Sequence, residues 1–309
     1  MSRVNYLFPA RSHYTIPLPG HGTLRLGDRC LVMGILNVTP DSFADPGAMR
    51  DPAEAVAAAV RMEADGADLI DVGGESTRPG AEAIEADEEL ARVLPVLRAL
   101  HGRLGVPISI DTYKADVARA AVAAGAAIVN DVSGLRHDPG LARAVAESGA
   151  ALILMHARGR STTMDAAAVY GDLIAEVADE LRDSVRTALE AGVPLERIIV
   201  DPGVGFAKRP SHSYGVLARL PELAAALDRP VLVGPSRKSF LRDAVGGRAA
   251  PERDWGTAAA VTAAVLAGAH IVRVHAVAEM AQVVRVSEEI RRGGLRAEGS
   301  GHEAIGPQR

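Results

Sequence analysis

Side chains able to do chemistry occur in this chain at the ends of apolar runs, one run after another. Leu31, Val32, Ile35 and Leu36 lead into Asn37 and the turn formers Thr39-Pro40-Asp41-Ser42. The same change of character yields Glu75-Ser76-Thr77-Arg78-Pro79, Asp111-Thr112, Asn130-Asp131, Met155-His156, Asp201, Ser236-Arg237-Lys238, and Arg273 with His275. Any single one is ordinarily a helix cap or a turn residue. Run after run delivering hydrogen-bonding groups at the same end argues for one shared mouth.

The chemistry suited to such a mouth follows from the residue types. Asp111, Asn130 and Asp201 offer carboxylate and amide edges, and paired carboxylates stay charged only opposite donors. The two N–H groups of an aminopyrimidine edge match a carboxylate bidentately. Met155, Val132 and Phe206 suit the walls around a flat ring. Lys238, Arg78, Arg273 and His275 complement phosphate oxygens. Asn37 adds a hard amide oxygen of the kind Mg²⁺ accepts while keeping water and phosphate ligands. A planar heterocycle carrying a pyrophosphate fits this set better than a sugar or an acyl group.

Other chemistries lack their signatures: there is no G-x-S-x-G elbow, P-loop or H-E-x-x-H. His270 and His275 sit at opposite ends of one apolar run and on opposite faces, so they are no metal pair. His101, His137 and His212 read as surface or capping residues.

Positioning these groups requires alternating strands and helices. Strands are expected from Leu31 onward and at 68–74, 107–112, 128–133, 151–156, 197–202, 230–234 and 270–275. Helices are expected at 53–65, 87–101, 114–124, 139–148, 170–191, 211–226, 238–245, 255–267 and 278–291. Asp51-Pro52 supplies a cap and a first-turn proline for the first helix. Eight strand-helix units in 309 residues close most simply into a (β/α)8 barrel. A doubly wound sheet would carry G-x-G-x-x-G in its first turn, and that is absent. Weak alternation around Pro19-Gly20-His21-Gly22 predicts a β-hairpin over the amino end of the barrel. The expected organisation is a hairpin extension at 1–30, the barrel at 31–291 and a disordered tail at 292–309.

The formal charge of −5 and the absence of long Lys/Arg runs exclude bulk nucleic-acid binding. No apolar run is long enough to cross a bilayer and no signal sequence opens the chain, which points to the cytoplasm. Cys30, the sole cysteine, agrees with a reducing compartment.

The longer motifs resemble those of the dihydropteroate synthase family. They are Gly34-Ile-Leu-Asn-Val-Thr-Pro-Asp-Ser-Phe43, Asp71-Val-Gly-Gly-Glu-Ser-Thr-Arg-Pro-Gly80, Ile110-Asp111 and Val129-Asn-Asp-Val132. Asp201-Pro-Gly-Val-Gly-Phe-Ala-Lys208, Gly234-Pro-Ser-Arg-Lys-Ser239 and Arg273-Val-His275 complete the set. They stand in the family's order between Leu31 and Arg291.

The resemblance implies a TIM barrel, usually a homodimer. Its members use Mg²⁺ while p-aminobenzoate displaces pyrophosphate from 6-hydroxymethyl-7,8-dihydropterin pyrophosphate, giving 7,8-dihydropteroate for folate synthesis. By motif position, Asp111, Asn130, Asp201 and Lys238 resemble the pterin-binding set, and Asn37, Arg273 and His275 the pyrophosphate and metal set. Thr77, Arg78, Pro79, Phe206, Ser236 and Lys238 resemble the groups that bind p-aminobenzoate, and sulfonamides in its place. Thr39-Pro40-Asp41 and residues 76–80 resemble two mobile loops.

Two departures stand out. Ala44-Asp45-Pro46-Gly47 replaces the family's Ser-Asp-Gly-Gly, and Ala276 stands where an Asp usually follows the histidine. A pterin-binding methyltransferase domain, acting with a corrinoid partner, shares the barrel and carboxylate pocket. Thr39 to Phe43 and Ser236-Arg237-Lys238 argue against it. The departures are the support for a further alternative, a catalytically silent pterin-binding paralogue.

Overall fold

A computed structural model describes residues 8–39, 51–76, 80–160 and 163–296. It opens with an antiparallel hairpin, β1 (Tyr14–Leu18) and β2 (Gly22–Leu26). Eight parallel strands follow: β3 (Leu31–Asn37), β4 (Leu69–Gly73), β5 (Ile108–Asp111), β6 (Ile128–Asp131), β7 (Ala151–Met155), β8 (Ile198–Asp201), β9 (Leu232–Val233) and β10 (Ile271–Val274). Hydrogen bonding runs in the order β8-β7-β6-β5-β4-β3-β10-β9. A parallel bridge between Val200 and Val231 brings the two ends together. This is the expected barrel.

Successive side chains of a strand point to opposite faces, and here that period sorts the residues. Val32, Leu36, Ile70, Val72, Ile110, Val129, Leu152, Leu154, Val200, Val272 and Val274 pack outward against the helices. Leu31, Met33, Leu69, Ile128, Ile153, Ile199, Leu232 and Ile271 point inward near the amino end, where they join Ile16, Leu18, Leu24 and Leu26 of the hairpin. The hairpin is therefore an apolar plug, as its alternation predicts. Higher in the same inward rows lie Ile35 and Asn37, Asp71 and Gly73, Asp111, Asn130, Met155, Asp201 and Arg273. The polar mouth is the upper continuation of the apolar interior.

The surrounding helices are α1 (Pro52–Ala64), α2 (Ala86–Leu100), α3 (Ala115–Ala123), α4 (Leu141–Ser148), α5 (Leu173–Glu190), α6 (Pro210–Ala218), α7 (Leu220–Leu227), α8 (Asp254–Leu266) and α9 (Val277–Arg296). Asp51 caps α1, its carboxylate accepting from Ala53 N at 2.8 Å, with Pro52 in the first turn.

Three expectations need correction. The helix expected at 211–226 is two, because Pro221 has no N–H and its ring displaces the preceding turn. The helix expected at 238–245 shrinks to a 3-10 turn, Ser239–Leu241. Its buried side chains Phe240 and Leu241 are sequence neighbours, which cannot form the i, i+4 stripe that holds a surface helix. The last helix reaches Arg296 rather than 291. Pro46 and residues 77–79 lie outside the described residues.

Ala276 precedes α9, where its carbonyl accepts from Met280 N at 3.0 Å. Its methyl cannot accept from the first-turn amides. Ala276→Asp is expected to stabilise the fold by about 1 kcal/mol in denaturant unfolding. An unchanged midpoint would show that those amides already have adequate partners.

Candidate active site

The inward rows end in a cavity of about 450 Å³. Asn37, Asp111, Asn130 and Asp201 line it, as do Val132, Met155 and Phe206. Ser236, Arg237, Lys238, Arg253, Arg273 and His275 line it too. Thr77, Arg78 and Pro79 fall outside the described residues, although Glu75 and Ser76, which lead into them, line the same space. The remaining expected site residues thus share one chamber.

Register explains the convergence. Asn37 pairs with Gly73, Gly73 with Asp111, and Asp111 with Asn130 across β3 to β6. A Cβ at Gly73 would lie 3.6 Å from Asn37 Oδ1 and 3.6 Å from Asp111 Cβ. Hydrogen at that position keeps the space between them open.

The charges form a compact set. Arg273 donates from Nε to Asp71 Oδ2 at 2.5 Å and from Nη2 to Asp111 Oδ2 at 2.6 Å. Asn130 Nδ2 donates to the same Asp71 oxygen at 3.0 Å. Asp71 Oδ1 and Asp111 Oδ1 are buried and have no hydrogen-bond partner among the described residues. An orphan carboxylate oxygen facing a chamber is a strong acceptor awaiting a donor. Asp201 Oδ1 accepts from Gly203 N at 2.7 Å.

Burial pushes Asp111 up to about 7 against the pull of Arg273. Burial also raises Asp201, opposed by Lys238 and the Gly203 amide. Lys238 is drawn down to about 8 by burial, with Asp201 opposing. Its ammonium donates to Val204 O at 2.7 Å and lies 4.4 Å from the centre of the Phe206 ring. Ser236 Oγ accepts from His275 N at 3.1 Å and pairs with its Nδ1 at 2.9 Å.

Several polar residues named at strand ends do other work. Asp131 points outward and accepts from Ser133 N and Leu135 N, holding a turn. Arg237 borders the chamber, but its guanidinium forms a bidentate pair with Asp254, 2.8 Å at each contact. His156 faces away from the chamber toward Lys208. His270 binds Val231 N through Nδ1 and Ser12 O through Nε2, joining the plug to the barrel.

Asp71 is the residue that reading strand ends missed. Its signal was present: a carboxylate in the middle of Leu-Ile-Asp-Val-Gly, in phase with Leu69 and Gly73. A second missed group holds Glu75 itself. Tyr113 OH donates to Glu75 Oε1 at 2.6 Å, and Lys114 binds both Glu75 and Glu89.

The family model described as "Pterin binding enzyme" matches residues 33–275. The chain belongs to the dihydropteroate synthase family. The dihydropteroate synthase of Synechocystis is 46% identical over 281 residues, covering 91% of this chain and 97% of the relative. A Xanthomonas albilineans dihydropteroate synthase solved with 4-aminobenzoic acid superposes with TM-score 0.83 at 42% identity, covering 91% of this chain and 99% of its own. A Burkholderia cenocepacia dihydropteroate synthase complexed with 7,8-dihydropteroate gives 0.82 at 44%, covering 92% and 98%.

A ring that donates N–H groups to Asp111 needs the carboxylate ionised, so affinity falls as pH drops below about 7. Above about 8 Lys238 loses its charge and its hold on Asp201. Titration calorimetry of a pterin is therefore expected to show tightest binding between these limbs. Affinity that stays flat from about pH 6 to about pH 9 would contradict the assignment of both groups.

Proposed function

We propose that this chamber performs the dihydropteroate synthase reaction with the pterin seated on Asp111, Asn130, Asp201 and Lys238. Its pyrophosphate is directed toward Asn37, Arg273 and His275. The reaction condenses 6-hydroxymethyl-7,8-dihydropterin pyrophosphate with p-aminobenzoate, giving 7,8-dihydropteroate and pyrophosphate. The observation carrying the site assignment is the orphan Asp111 Oδ1 within one cavity that also holds Asp201, Lys238 and Arg273. Ring N–H donors satisfy the first pair, and a phosphate oxygen the last.

The ion pair of Arg273 with Asp111 adds a constraint to its role at the pyrophosphate. As ring N–H groups take over Asp111, Arg273 keeps Nε on Asp71 and turns Nη2 toward the pyrophosphate. The arginine stabilises negative charge that grows as the bond to the leaving group breaks. The arylamine is neutral at physiological pH and attacks the methylene without needing a strong base. The C–N bond replaces the C–O bond to pyrophosphate, and the acidic proton of the new ammonium passes to water or the departing pyrophosphate. Phe206 and Lys238 border its place, with Ser236 nearby and Thr77, Arg78 and Pro79 assigned to the same subsite by motif position. Holding both partners in line supplies the remaining acceleration.

Mg²⁺ fits as a companion of the substrate. Among the described residues no cluster of three His, Cys, Asp or Glu side chains could hold a metal, while Asn37 offers one amide oxygen. Mg²⁺ keeps several waters and takes substrate phosphates as ligands, so Asn37 would add one protein ligand. When bound, it supplies positive charge beside the leaving group.

A homodimer is proposed for the assembly. Trp255 at the start of α8 is 88% exposed, and Val286 and Ile290 on α9 are 61% and 49% exposed. These two helices pack side by side, so a second copy could cover the apolar residues. Among the described residues no helix is long and apolar enough to cross a membrane. A cytoplasmic location is proposed on the single cysteine, whose buried thiol is pushed up to about 12 by desolvation and is unreactive.

Two measurements test these readings. Pyrophosphate release from the pterin pyrophosphate should require both p-aminobenzoate and Mg²⁺; pterin binding without release would identify a silent paralogue. Trp255→Glu combined with Val286→Glu should shift sedimentation from dimer to monomer, and an unchanged sedimentation coefficient would move the interface elsewhere.

A further inference from the structure

The turn that carries Phe206 into the chamber is held from both sides by lysines. It contains three left-handed residues, Gly203 at φ 66°, Gly205 at 79° and Ala207 at 45°. A Cβ at Gly203 would lie 2.0 Å from His156 O, and one at Gly205 2.9 Å from the Lys238 side chain. Ala207 has no such glycine freedom, so outside contacts must hold its conformation. From the chamber, Lys238 holds Val204 O, as described. From behind, Lys208 Nζ donates to Phe206 O at 3.3 Å and to His156 Nδ1 at 2.7 Å, while Tyr170 OH donates to Ala207 O at 2.9 Å.

Lys208 is only 7% exposed. Burying an amine is costly, and burial draws this one down to about 7, with Asp201 opposing. What orients it is a polar chain reaching the surface. His156 is kept neutral, down to about 4 through burial and the nearby lysine, so Nδ1 accepts. Its Nε2 lies 3.3 Å from Glu180 Oε2, within ion-pair distance though not in hydrogen-bond geometry. Glu180 on α5 accepts from Arg158 Nε at 2.8 Å and Arg136 Nη2 at 3.1 Å. Burial alone would raise the Glu180 carboxyl, but His156 and the arginines hold it well below the usual range.

We propose that Lys208, oriented by His156 and Glu180, is a positioning residue for the p-aminobenzoate subsite, acting by holding the Phe206 carbonyl from outside the chamber. The inference rests on the reading of Phe206 as a wall of that subsite. Asp201 takes larger support from Lys238 and the Gly203 amide than from Lys208, so the pterin half of the site depends less on Lys208.

Lys208→Met removes the charge and keeps the length of the side chain. KM for p-aminobenzoate is expected to rise about tenfold, the loss of a hydrogen bond from a charged donor, with kcat and pterin affinity within about twofold. The thermal midpoint should stay level or rise, because a buried charge whose desolvation outweighs its attractions has gone. A lysine with a purely structural role would show a lowered midpoint with no selective change in KM. Glu180→Gln, which loosens His156 at a distance, should raise the same KM by a smaller factor. An unchanged KM for p-aminobenzoate in Lys208→Met would overturn the proposal, as would equal losses of kcat and pterin affinity. Wild-type protein that forms no dihydropteroate would instead remove the functional reading beneath it.

Discussion

The mouth of this barrel depends on one buried guanidinium lying between two acids. Arg273 reaches from β10 across the interior to Asp71 on β4 and Asp111 on β5, joining β10 to two strands that are not its hydrogen-bonded neighbours. Ions in a barrel interior must be paired or lose their charge, so this bridge permits carboxylates at a depth otherwise filled by Met33 and Ile153. Asp71 and Asp111 share Arg273, while Lys238 opposes the burial of Asp201. A ligand rich in N–H donors suits the carboxylates at one end of the cavity, while Arg273 serves the other.

Much of this could be read before any coordinates. Apolar runs broken by polar ends yielded the barrel, and the plug followed from a few alternating residues before Leu31. Asn37, Asp111, Asn130, Asp201, Arg273 and His275 all reach the chamber. The feature that separates them from Asp131 and His156 is parity along the strand. Asn130 and Asp131 are both polar and adjacent, yet one side chain faces the cavity and the other a turn. Counting in twos from the inward apolar residues makes that distinction, and it also finds Asp71 inside its strand.

The rest was illegible for definite physical reasons. Pro221 breaks a helix whose apolar periodicity continues on both sides. The segment after Lys238 has helix-forming residues but no stripe to bury. Lys208 belongs to a recognisable motif, but its partners His156 and Glu180 come from different units and only the closed barrel brings them together. Positions of this type are long-range contacts between ordinary polar residues, and spacing along one segment carries no trace of them.

The apolar hairpin has a consequence for traffic. Ile16, Leu18, Leu24 and Leu26 cork the lower end of the barrel, so among the described residues the amino end offers no wet passage. The chamber lies at the other end, and traffic of reactants and products is directed to that face.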